Sequence, residues 1–513
     1  MASSSRQLVH PAVSPANPTT APVPLASVAS RGAPDATGLL FYSPPAAVHL
    51  DPQYLAESLA EILSAYPQLA GRLRLARPDD HGRPYTKRYH RTWMDYGHPD
   101  DPGMTLEFEE RAMPMSAALP PPVAEHPGVV DASVLNDFTL APDLQRGRDG
   151  DEMSLAGVKV TRFSCGGAAL CVSASHILFD AGALGTFLTD WAAIHTAIAR
   201  GETPLIPHRP YDFQACDVNA AGDLDTKDED PALVKLESSL DVFRYDAWAR
   251  DPTGLCNPPP SQAVGPPSEV DTLDAERGRR RGTLPPWHTL SDAPTRTYGL
   301  DFTSEDVQRI AARAKRETAE HISAQDAFAA HIWRLVARAR GQTGDIVLDF
   351  SMACDARRRF TNPLPSTAPG CFNVCLGMQA HADEVVGPNG AGWAAARIRR
   401  AIETTKPDIL AAWLHLRAHD LDPSRNCIVF PGTTSVCTTN WSRSALHDAD
   451  FGGGPPLLVH NLVMAFGGYA TITRVPGVTG GRWYDPGVRA TLWLQVDAMD
   501  RLLADPDFRG ARP

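Results

Sequence analysis

Residues 158–199 constrain the fold more than any other stretch. Segments 158–165 and 168–176 alternate apolar and polar residues around Gly166-Gly167, a pattern that predicts two strands joined by a tight turn. In the second, Leu170, Val172, Ala174 and His176 share one face by two-residue alternation. After Asp180 the period changes: Leu184, Phe187, Leu188, Trp191 and Ile198 recur at helical spacing. A hairpin feeding directly into an amphipathic helix must bury that helix against its own sheet. The chain is therefore α/β, with a sharp strand-to-helix junction at His176–Gly182.

The same alternation of element types recurs elsewhere. "LLFY" (39–42) opens a strand, and Leu55, Leu59, Ile62 and Leu63 mark a helix closed by Pro67. In the second half, Thr303 with Asp306 and Ser323 with Asp326 fit capping boxes ahead of apolar helical faces. "DIVLDFSMACD" (345–355) alternates as a strand, and "RATLWLQVDAMDRLL" (489–503) reads as a strand running into a helix. Between 211 and 290 the periodicity fades into "DLDTKDED", "NPPPSQAVGPPSE" and "ERGRRRG", a long crossover that is partly mobile. At 513 residues, two large domains are expected. The boundaries are an N-terminal domain over 1–210, the crossover over 211–290 and a C-terminal domain over 291–513.

Charge and apolar runs exclude several function classes. A net charge of −12 spread over the chain provides no basic face for nucleic acid. No uninterrupted apolar run reaches the ~18 residues of a membrane span. The first 34 residues, poor in acidic groups and rich in Ser, Ala and Pro, carry a faint transit-peptide composition. They lack the apolar core of a secretory signal and are kept with the mature chain. Nine scattered cysteines form no ligand-spaced cluster, so reduced thiols in a cytoplasmic protein are expected.

His176 and Asp180 stand four apart at the junction. Alone, that spacing is weak, because a chain with 17 histidines produces such a pair by chance about once. A junction of this kind can present a side chain to a cleft. From the residues alone, Asp180 either orients the imidazole or pairs with an arginine to hold the turn.

The wider text decides more. "VTRFSCGGAALCVSASHILFDAGALGTFLTDWA" (160–192) resembles the BAHD family of coenzyme A-dependent acyltransferases, whose signature is H-x-x-x-D followed by Gly. "ISAQDAFAAHIWRLVARARG", "DARRRFTNPLPSTAPGCFNVC", "TTNWSRSALHDADFGGG" and "YPQLAGRL" resemble further family segments, in family order, over roughly residues 39–500. The resemblance implies two domains of the chloramphenicol-acetyltransferase type, each a mixed sheet flanked by helices, with a channel between them. It implies a monomer that transfers an acyl group from acyl-CoA, as co-substrate, to an alcohol or amine of a specialised metabolite, without a permanently bound cofactor or a metal.

By the same resemblance His176 is the general base and Asp180 is structural. Thr439 and Trp441 are donors to the oxyanion. Arg357 is the candidate partner of Asp180 and is grouped with Ser323 on the coenzyme side. Asp450, Phe451, Gly452 and Gly454 shape a supporting loop. Two departures stand out: Ala181 replaces the glycine after Asp180, and Gly453 replaces the loop tryptophan. Two alternatives remain open. A condensation-type domain acting on carrier-bound thioesters would carry two adjacent histidines, whereas Ser175 precedes His176 here. A non-catalytic binding protein is favoured only by the missing tryptophan.

Overall fold

The computed structural model describes residues 4–28, 35–44, 49–140, 155–249, 282–422, 425–427, 429–462, 466–477 and 481–510. Two large mixed sheets organise it. In chain order their strands are β1 (Ser4–Val9), β2 (Ala36–Tyr42), β3 (Met104–Arg111), β4 (Val129–Asp131), β5 (Ala156–Phe163) and β6 (Ala168–Ala174). There follow β7 (Thr295–Thr303), β8 (Val347–Asp355), β9 (Asn373–His381), β10 (Ser435–Asn440), β11 (Leu458–Leu462), β12 (Tyr469–Arg474) and β13 (Gly487–Gln495). The first sheet runs β1-β3-β5-β6-β2-β11 and the second β9-β8-β10-β12-β13-β7-β4.

The hairpin β5–β6 is antiparallel, with Val158 opposite Val172 and Val160 opposite Leu170. Those residues, with Leu40, turn one sheet face toward helices α1 (Pro52–Ala65) and α2 (Ala181–Ala199), where Leu59, Ile62, Leu184, Phe187 and Trp191 complete a buried core. In the second sheet, Phe350, Val436, Ala470, Ile472 and Leu492 face helices α3 (Ser304–Arg316), α4 (Ala324–Ala339) and α5 (Gly390–Glu403). Both expected capping boxes are formed, at Thr303 and at Ser323. Two buried apolar layers of this size are what stabilise a chain this long, since burial contributes about 25 cal/mol per Å² of apolar surface.

The division of the sequence at 210 and 290 does not coincide with sheet membership. Strand β11, far into the second half, pairs with β2, and β4 of the first half pairs with β7. Trp441, Leu446, Ala449, Phe451 and Val459 accordingly sit in the first half's core. A strand edge offers unpaired N–H and C=O groups, and an exchanged strand satisfies them. Ser4–Val9 is likewise an edge strand on β3, so this part of the first 34 residues is paired in the first sheet.

The described part of the crossover is held by scattered buried residues, Ala215, Cys216, Leu224 and Leu240, and by polar ties, neither of which forms an apolar period. Asp225 accepts from Arg83 Nε at 2.9 Å, Asp241 pairs with Arg397 at 2.8 Å, and buried Asp246 pairs with Arg425 at 2.6 Å. The segments "NPPPSQAVGPPSE" and "ERGRRR" lie outside the described residues.

Candidate active site

The junction read from the sequence becomes a turn that docks on the other half. β6 ends at Ala174, Ser175–Leu178 turn, and Phe179 forms a parallel bridge with Gly370, just before β9. Asp180 then caps α2, its Oδ1 accepting from Gly182 N at 3.1 Å and Ala183 N at 3.0 Å. Its carboxylate also accepts from Arg357 Nη1 at 2.6 Å, Arg357 Nη2 at 3.1 Å and Phe372 N at 3.2 Å. One buried carboxylate thus joins a helix start, a buried guanidinium and the backbone of the opposite half.

Burial alone would push the Asp180 carboxyl up. Arg357 and the N–H donors outweigh that and hold it below the ordinary carboxylate range. Burial also opposes the Arg357 cation, and Asp180 with Asp355 reverses this, so the guanidinium stays charged. Arg357 is 1% exposed and also donates to Asp355 Oδ1, Ala368 O and Gly370 O. With its donors committed inside the protein, it is not available to a coenzyme phosphate. The coenzyme-side grouping of Arg357 is therefore corrected to a structural ion pair.

His176 lies within the turn, packed deep among protein atoms, yet it retains partial solvent access, as does Ser175. Its Nδ1 stands 3.5 Å from the sulfur of Cys371. Burial lowers the imidazole's pKa, while Cys371 and, to a lesser degree, Asp180 raise it; the balance pushes it up to about 9. Cys371 is 195 positions away, and no sequence spacing could have linked the two.

The remaining expected site residues fall in three places. Thr439 is half-buried near the end of β10, opposite Thr471. Trp441, just beyond, is buried in the first half's apolar core, and its backbone N–H donates to Ile472 O. Ser323 is a helix cap: its Oγ accepts from Asp326 N and its own N–H donates to Asp326 Oδ2. A carboxylate in that first turn disfavours a phosphate, which supports the cap over the coenzyme contact as the role of Ser323.

The Asp450–Gly454 loop docks on α2. Asp450 Oδ1 accepts from Gly452 N at 2.8 Å and Gly454 N at 2.7 Å. Both glycines hold φ above +100° (+108° and +112°), which side-chain-bearing residues resist. Phe451 is the anchor, edge-on to Trp191 at 5.1 Å and to Tyr42 at 6.0 Å. Gly453 is exposed, and Phe451 holds the loop where the tryptophan is missing.

Comparison with known proteins agrees with this architecture. The profile described as the Transferase family matches residues 129–235 and 275–508. The acyltransferase AFT15-1 of Alternaria alternata is 23% identical over 475 residues, 88% of this chain and 86% of that protein. The hydroxycinnamoyl-CoA:piscidic acid hydroxycinnamoyltransferase of Actaea racemosa is 25% identical over 378 residues, 70% of this chain and 72% of that protein. The crystal structure of vinorine synthase superposes with a TM-score of 0.60 at 20% identity, covering 99% of this chain and 100% of that one. The fold is the two-domain acyltransferase fold. The chain belongs to the Transferase family, the BAHD acyltransferases.

Proposed function

We infer that this protein transfers an acyl group from acyl-CoA to a hydroxyl of a small-molecule acceptor, with His176 as the general base. The observation that carries this reading is the placement of His176: an imidazole deep at the seam of the two halves, still reached by solvent, on a turn fixed by a buried ion pair.

An acyl thioester is already activated, so the protein needs only to position the reactants and move one proton. The acceptor hydroxyl gives its proton to the imidazole as its oxygen attacks the thioester carbonyl. The carbonyl oxygen becomes an oxyanion, for which the Thr439 hydroxyl is the first candidate donor and the Trp441 indole N–H the second. Collapse breaks the C–S bond, and the imidazolium returns the proton to the departing CoA thiolate. An ester and free CoA result, and His176 is neutral again.

The hydroxycinnamoyl-CoA donor named for the Actaea racemosa relative makes p-coumaroyl-CoA the first donor to test, with acetyl-CoA and malonyl-CoA beside it. Mass spectrometry with a panel of alcohols and amines should show CoA release matched by ester formation. His176→Ala should lower turnover by about 10²–10⁴ with the fold intact. Near-normal turnover in that variant would remove His176 from the role of base.

A further inference from the structure

Cys371 takes no part in the chemistry above, yet it is the residue in hydrogen-bonding contact with the base. Its sulfur lies 3.5 Å from His176 Nδ1 and is fully buried. Several constraints bring it there. Gly370 is bridged to Phe179, and its carbonyl oxygen accepts from Arg357 Nη2 at 2.9 Å. Phe372 N–H donates to Asp180 Oδ2 at 3.2 Å. The residues on either side of Cys371 are therefore pinned to the same turn that carries His176. Ser27 Oγ also donates to the Cys371 carbonyl at 3.0 Å, which fixes the backbone between them.

We propose that Cys371 is a positioning residue for acyl transfer: its sulfur engages Nδ1 of His176 and leaves Nε2 as the ring nitrogen that takes the acceptor's proton. The proposal rests on the reading of His176 as base. An imidazole acts as a base only through its unprotonated nitrogen, and the partner of one nitrogen decides which that is. Sulfur accepts an N–H weakly as a thiol and far better with thiolate character.

The charged and titratable surroundings of the pair come from both halves. Asp180 follows on the same turn, and Arg357 and Asp355 lie behind it. From the crossover comes Tyr211, which senses both Cys371 and Cys216 and whose phenol burial keeps neutral. Burial lowers the His176 pKa, and Cys371, the largest of the raising influences, acts with the backbone and Asp180 to push it up to about 9. A base with a raised pKa works only once deprotonated, so turnover should climb as pH rises from the ordinary histidine value of 6.5 toward about 9. The sulfur thus orients the ring and delays release of its proton.

The test uses the full chain labelled with [13Cε1]histidine, titrated by NMR with His176→Ala assigning the resonance. In the wild-type protein the His176 midpoint should lie above that of an ordinary histidine. In Cys371→Ala and Cys371→Ser it should fall by at least one pH unit, a tenfold change in proton affinity. The acid limb of kcat, measured with p-coumaroyl-CoA or whichever donor in the panel turns over, should move with it while KM for that donor stays within about twofold. Serine, which still offers Nδ1 a partner, should restore more of the high-pH kcat than alanine does. Midpoints that agree within a few tenths in wild type and a folded variant, checked by thermal melting, overturn the proposal. Full turnover in His176→Ala would instead sink the base reading while leaving the titration result standing.

Discussion

Asp180→Asn tests the seam directly, because asparagine separates the charge of this side chain from its cap. An asparagine oxygen still accepts from Gly182 and Ala183 N–H, so α2 keeps its start. Its amide NH2, however, turns toward Arg357 Nη1 or Phe372 N, both of which are donors. Arg357, 1% exposed, is left as a buried cation with Asp355 as its remaining carboxylate. Breaking a buried pair in this way costs about 3–5 kcal/mol. With unfolding entropy near 2.1 cal/mol/K per residue, a chain of this length loses roughly 1.1 kcal/mol per degree at its midpoint. A loss of ~4 kcal/mol then lowers Tm by about 4 °C if the halves melt together, and by more if the first half melts alone. Calorimetry at pH 7 measures the shift. Because the carboxyl's folded pKa is depressed, its contribution is present above the ordinary 3.8 and fades as pH falls below it. The gap between wild type and variant should therefore close in acid. A double-mutant cycle with Arg357→Met should return a coupling of several kcal/mol. An Asp180→Asn protein melting within 1 °C of wild type at pH 7 would refute the reasoning.

Two further substitutions separate chemistry from scaffolding. Thr439→Val should reduce kcat about 10²–10³-fold with little change in KM, read by steady-state kinetics; unchanged kcat would remove Thr439 from the oxyanion site. Ser323→Ala should cost about 1 kcal/mol in urea denaturation through loss of the cap while leaving KM for acyl-CoA within twofold. A tenfold rise in that KM would return Ser323 to the coenzyme.

Much of this protein was determined locally and so was legible in its sequence. The β5–β6 hairpin, the α2 helix, both capping boxes and the β13 strand all follow from spacing within about twenty residues, where periodicity and capping chemistry act; that Asp180 also caps α2 is a finding of the structure. The pairing of Asp180 with Arg357 followed from motif resemblance, and the geometry supplies its five-donor detail. Three features waited for tertiary structure. Strands β4 and β11 exchange between the halves because sheet edges choose partners by hydrogen bonding, which leaves no periodic trace along the chain. The crossover is tied down by isolated buried residues such as Leu240 and by individual ion pairs such as Asp246–Arg425, which composition and periodicity do not reveal. The contact of Cys371 with His176 exists only because the 370–372 backbone docks on the Phe179–Asp180 turn. Local chemistry wrote the elements; the closeness of groups far apart in sequence, such as Cys371 beside His176, came from how the two halves meet.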